Sequence, residues 1–132
     1  MAGYIKGVKA EKVEVAALNT KINKKVFDDF KVRCLELRYP MNVMLEIFMQ
    51  QYVDGKFNIN TREILKWETD KGEVSTLNTT FNKEIYSNFK TICKNNGFYV
   101  KHVIAAFMEE FVNKKFILEY VEITEKKDNW GW

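Results

Sequence analysis

The 132 residues contain one proline, one histidine and two cysteines. Those few residues already narrow the field. With Pro40 as the sole proline, long stretches remain free to be helical. The single histidine, His102, has no acid or cysteine suitably spaced to form a catalytic pair, and reads as a surface or boundary residue. There is no glycine-rich phosphate loop and no cluster with metal-ligand spacing, so the expectation is a protein that is not an enzyme and carries neither cofactor nor metal. Cys34 and Cys93 have no partners for a disulfide or metal site and read as reduced core residues. No apolar run approaches the roughly 18 residues needed to cross a bilayer, and no secretory signal is visible. A cytoplasmic protein with no membrane partner and no small-molecule substrate is therefore expected.

The chain is rich in apolar and aromatic residues, 46% and 14%, which marks a globular protein rather than a disordered one. Its length suits one or two small domains. A net charge of +3 is mild for a nucleic-acid binder. Its distribution is uneven, with Lys6, Lys9, Lys12, Lys21, Lys24, Lys25, Lys31, Arg33 and Arg38 crowding the first third. After Gly72 the charges are close to balanced. A polyanion would be attracted more strongly by the first half.

Placing Glu14–Phe57 over Glu73–Phe116 needs no gap, and roughly a third of the positions are identical, the mark of an internal repeat. Each copy opens with an alternating segment, Ala17-Leu18-Asn19-Thr20-Lys21-Ile22-Asn23 and Thr76-Leu77-Asn78-Thr79-Thr80-Phe81-Asn82. Side chains alternate across a strand, so Leu18, Thr20 and Ile22, like Leu77, Thr79 and Phe81, point one way. Ala17, Asn19 and Lys21, like Thr76, Asn78 and Thr80, point the other.

Asn23 is a good helix N-cap. From about Lys24 to Leu37, Val26, Phe30, Cys34 and Leu37 recur on one helical face with Phe27 beside them. Arg38-Tyr39-Pro40 breaks that pattern, and Pro40 suits the first turn of a second helix reaching about Asp54. Its apolar face is Met41, Leu45, Phe48, Met49 and Tyr52, and Gly55 marks a stop. In the second copy the first helix carries Ile85, Phe89, Ile92 and Cys93, Asn95-Asn96-Gly97 turns the chain, and the second helix carries Val100, Val103, Ile104, Phe107, Met108 and Phe111. The organisation predicted is a first unit over 13–57, a connector over 58–72, a second unit over 73–116 and a C-terminal extension over 117–132. Ile64, Leu65 and Trp67 are too apolar for a free connector. Met1–Lys12 reads as a solvated lead or a basic arm for a phosphate backbone. Ile117–Thr124 extends the helix or forms a strand, and Trp130 and Trp132 either fold back or meet a partner.

One strand and two amphipathic helices do not bury their apolar surface alone, and a lone strand leaves backbone groups unpaired. Two such units solve both problems by pairing antiparallel, strand against strand, with four helices over one face. The linker allows this within one chain and is equally compatible with swapping between two. The fold class predicted is thus mainly α with a short antiparallel β-ribbon, two units forming an intramolecular pseudo-dimer.

Residues 19–27, Asn-Thr-Lys-Ile-Asn-Lys-Lys-Val-Phe, and their copy at 78–86, Asn-Thr-Thr-Phe-Asn-Lys-Glu-Ile-Tyr, resemble the strand and first-helix start of ribbon-helix-helix proteins, the Arc/MetJ-like superfamily of DNA-binding regulators. The resemblance spans Val15–Val53 and Val74–Val112. It implies that the paired strands enter the major groove of double-stranded DNA, with Ala17, Asn19, Lys21, Thr76, Asn78 and Thr80 toward the bases. Asn suits adenine and Lys suits guanine. It implies phosphate contacts at the second-helix starts, Pro40–Asn42 and Tyr99–Lys101, and the phosphate-contacting residues expected in all are Lys24, Lys25, Asn42, Lys83, Tyr99 and Lys101. Between the copies Lys21 corresponds to Thr80 and Lys25 to Glu84, so the halves are expected to read unlike sequences, the first more tightly. The function implied is transcriptional repression in a plasmid, phage or other mobile element. The competing readings are a relaxosome or partition accessory protein using the same face, and an antitoxin-like interaction module acting through Ile117–Trp132. Self-association on DNA is compatible with each.

Overall fold

Two asparagines set the frame. Asn23 and Asn82 each end a strand and start a helix, their side-chain oxygens accepting the backbone N–H of Val26 and Ile85 at 3.0 Å. Such a cap satisfies one of the donors that a helix start leaves unpaired. The computed structural model describes residues 14–113. The basic lead and the extension over 117–132, with Trp130 and Trp132, lie outside the described residues.

In chain order the elements are β1 (Val15–Asn23), α1 (Lys24–Leu37), α2 (Met41–Val53), a short α3 (Thr61–Leu65) running into a 3₁₀ turn (Lys66–Thr69), β2 (Val74–Asn82), α4 (Lys83–Asn95) and α5 (Val100–Val112). The described chain is mainly helical, with one two-stranded antiparallel sheet. Asn19 pairs with Asn78, Ala17 with Thr80 and Lys21 with Thr76. Beyond the strand ends, the Lys24 N–H donates to the Glu73 carbonyl at 2.7 Å, and the Lys83 N–H to the Glu14 carbonyl at 2.9 Å.

A two-stranded ribbon is marginal in water unless one face is covered. Here Leu18, Ile22, Leu77 and Phe81 are buried under the helices, α5 lying against β1 and α2 against β2. The helices also pack crosswise, α1 on α5 and α2 on α4. At the centre Phe48 stacks on Phe107 with centroids 4.0 Å apart. Around them Phe30 meets Phe111 edge-on at 5.0 Å, and Tyr52 meets Phe89 edge-on at 5.7 Å. No polar or charged side chain is buried among the described residues. Cys34 and Cys93 are free and buried, and burial pushes both thiols up to about 12, which leaves them inert.

Several details differ from the sequence pattern. In α1 the buried face is Phe27, Phe30 and Cys34, with Val26 and Leu37 half-buried at its margins. In α2 Met44 is fully buried, whereas Met41, at the first turn, is half-buried. In α4 Tyr86 takes the place expected of Ile85 and Ile92. All three shifts have one cause: these helices carry apolar residues on more than one side, so periodicity alone leaves the centre of the stripe undefined. The connector is structured. Asn60 caps α3 through the Arg62 N–H, Ile59 and Ile64 join the core, and Lys66 bonds Glu109 of α5 at 2.6 Å. Leu65, by contrast, is exposed.

Candidate nucleic-acid interface

The antiparallel register sets the outward residues in two adjacent rows. Ala17, Asn19 and Lys21 on β1 and Thr76, Asn78 and Thr80 on β2 are all exposed, while the residues between them are buried or half-buried. Because Asn19 lies opposite Asn78, the two amides sit at the middle of the face. Lys21 is displaced toward one end, opposite Thr76. Alternation carries the rows further than the sequence pattern was taken, to Val15 and Val74, which are 60% and 51% exposed at the ribbon ends. Their signal was the same period of two.

Each row is flanked by the start of a helix. The first turn of α2 begins after Pro40 and that of α5 after Tyr99, and neither has a side-chain cap. Uncapped first turns offer N–H groups and a partial positive charge to an anion. Asn42 lines a cleft of about 320 Å³ with Thr76 and Asn78, so the start of α2 adjoins the outward row of β2. Lys101 lines a smaller cavity of about 120 Å³ with Lys21 and Asn23, so the start of α5 adjoins β1. Tyr99 is 67% exposed.

The remaining lysines named from the sequence stand at the starts of the first helices. All three are engaged by carboxylates: Lys24 by Asp28 at 2.8 Å, Lys25 by Asp29 at 2.7 Å and Lys83 by Glu14 at 3.3 Å. The hydrogen bonds to Asp28 and Asp29 raise the pKa values of Lys24 and Lys25, and that from Lys24 lowers Asp28. These pairs are exposed and screened by salt, so another anion can displace them. Asp28 and Asp29 thus neutralise two of the expected phosphate ligands.

His102, one residue past Lys101, packs edge-on against the Tyr99 ring at 5.4 Å. Burial lowers its pKa, Lys101 lowers it further, and Glu68 opposes both. Beside it, the Trp67 indole nitrogen is buried without a partner among the described residues. No helix among the described residues is long and apolar enough to cross a membrane. Comparison with protein-family models, with curated proteins and with solved structures finds no match.

Proposed function

We propose that this chain is a single-chain ribbon-helix-helix protein that binds duplex DNA in a sequence-specific way through the outward face of its ribbon, as a transcriptional repressor of a mobile element. The observation that carries the reading is the face itself. Six small or polar side chains stand exposed in two adjacent rows, centred on the facing amides of Asn19 and Asn78. A two-stranded ribbon fits the major groove, and alternate residues meet base edges there. Asparagine offers the donor and acceptor that adenine presents in reverse.

The pseudo-dimer arrangement is supported by contacts that recur between positions 59 residues apart in the alignment of the two copies. Asn19 faces Asn78, and Phe48 stacks on Phe107. Phe30 with Phe111 has its counterpart in Phe89 with Tyr52, and the backbone bond from Lys24 to Glu73 has its counterpart from Lys83 to Glu14. The uncapped starts of α2 and α5 then stand as two phosphate-binding corners. Lys21, Lys101 and His102 line one cavity with β1, whereas Asn42 lines a cleft with Thr76 and Asn78 of β2, and this difference in charge favours unequal half-sites.

The test is selection of bound sites from random duplex DNA at near-physiological salt, with wild type and with Asn19→Ala/Asn78→Ala. The expected result is a short motif, enriched by wild type and lost by the double variant. Salt-sensitive binding without a motif would replace a repressor by an architectural or relaxosome accessory role. Absence of duplex binding would end the DNA reading.

A further inference from the structure

Lys31 in α1 and Lys90 in α4 hold matched positions in the two copies. After the first residue of each helix, theirs is the one exposed position at which the copies are identical; the other exposed pairs differ, such as Lys25 with Glu84, Val32 with Thr91 and Leu35 with Lys94. Solvated positions on a helix surface tolerate change, so an identity there needs a reason.

The two lysines also share a seat. The Lys31 ammonium lies 5.2 Å from the centroid of the Phe27 ring, and the Lys90 ammonium 4.8 Å from that of Tyr86. An aromatic face within about 6 Å holds a cation while leaving its N–H donors available. Unlike Lys24, Lys25 and Lys83, neither lysine makes a salt bridge among the described residues. Each lines a cleft that the start of the following helix also lines. Lys31 shares its cleft of about 320 Å³ with Met41, Asn42, Thr76 and Asn78, on the border of the outward row. Lys90 shares its cleft of about 640 Å³ with Tyr99, Val100, Lys94 and Glu68.

We infer that Lys31 and Lys90 are a matched pair of DNA-backbone ligands, one at each side of the ribbon, that fix where the outward face lies along the duplex. This rests on the DNA-binding reading above. The aromatic seat holds each ammonium before binding, so less side-chain freedom is lost when a phosphate is met. Such contacts carry no base preference. They set affinity and its dependence on salt.

The experiment compares wild type, Lys31→Met/Lys90→Met and Lys31→Arg/Lys90→Arg on the duplex that wild type selects, measuring the affinity across a series of salt concentrations. Methionine keeps the aliphatic stem on the ring and removes the charge. Each phosphate contact contributes about 0.9 to the slope of log K against log salt, so the methionine pair should lower the slope by about 1.8. The selected motif should stay the same, and the arginine pair should keep the wild-type slope. Lys31→Gln and Lys90→Gln singly should each lower the slope by about half as much, which keeps the test valid if the methionine pair folds poorly. A wild-type slope in the charge-removing variants overturns the pair of ligands and leaves the base-reading face intact. Failure of wild type to bind any duplex overturns both readings together.

Discussion

Arg38 and Gly97 occupy matched places after α1 and α4, and both have positive φ, 64° and 81°. Gly97 accepts this freely, whereas an L side chain in the left-handed region is strained by roughly 1–2 kcal/mol. Replacing Arg38 by glycine is therefore expected to stabilise the fold by about 1 kcal/mol, less a few tenths for the freer unfolded chain. Urea unfolding at constant m-value measures it. The same pair shows where sequence reading succeeds. Asn96-Gly97 announces its turn, but nothing in Arg38 announces a left-handed residue, and the turn there was legible only from Pro40. A second residue-scale effect concerns Glu46, whose carboxylate accepts the Asn82 backbone N–H at 2.6 Å. Its counterpart in the second copy is Ala105. Glu46→Ala leaves that part-buried donor unpaired and should cost about 1–3 kcal/mol, while Glu46→Gln, which keeps an acceptor, should cost less. Thermal unfolding of the two variants separates these outcomes.

Among the elements, α1 was read from the sequence with its observed bounds, because a capping asparagine opens it and a proline shortly follows it. α3 was missed, although Asn60 and Glu63 carry the spacing of a capping box. A five-residue helix is too short for periodicity to register. The register of β1 on β2 was not legible either, since which residues face each other is decided by the helices that cover the inner side. At the start of α5, His102 offers a test in pH. Its pKa is lowered from its ordinary 6.5, chiefly by burial. The fold therefore favours the neutral ring, and that contribution is fully present above the unfolded value and lost as pH falls through the folded one. Between about pH 8 and about pH 5, wild type should lose more stability than His102→Gln, as measured by denaturant titration at each pH. If the two profiles run parallel, the ring is not held neutral by its surroundings.

For the whole molecule, the core is a single one. Phe107 touches Phe48 and Phe30 from the first half and Phe111 from the second, so the halves share their largest side chains. Phe107→Ala should cost about 3–5 kcal/mol. Loss of helix by circular dichroism and the change in tryptophan fluorescence should coincide in one transition, as for a two-state domain. Separate transitions would mean that the halves fold independently. The shared core also explains why the spacing of the aromatic residues was legible and their packing was not. Spacing aligns Phe48 with Phe107, but their 4.0 Å stack depends on two helices meeting from different halves of the chain.

The outward rows of the ribbon are unlike, Ala17-Asn19-Lys21 beside Thr76-Asn78-Thr80. A face made by two identical strands would look the same after half a turn and would lie on a duplex in two equivalent ways. This face has a head and a tail. If the proposed DNA binding holds, a duplex site and its reverse are not equivalent for this chain, and each site fixes the direction in which the ribbon lies.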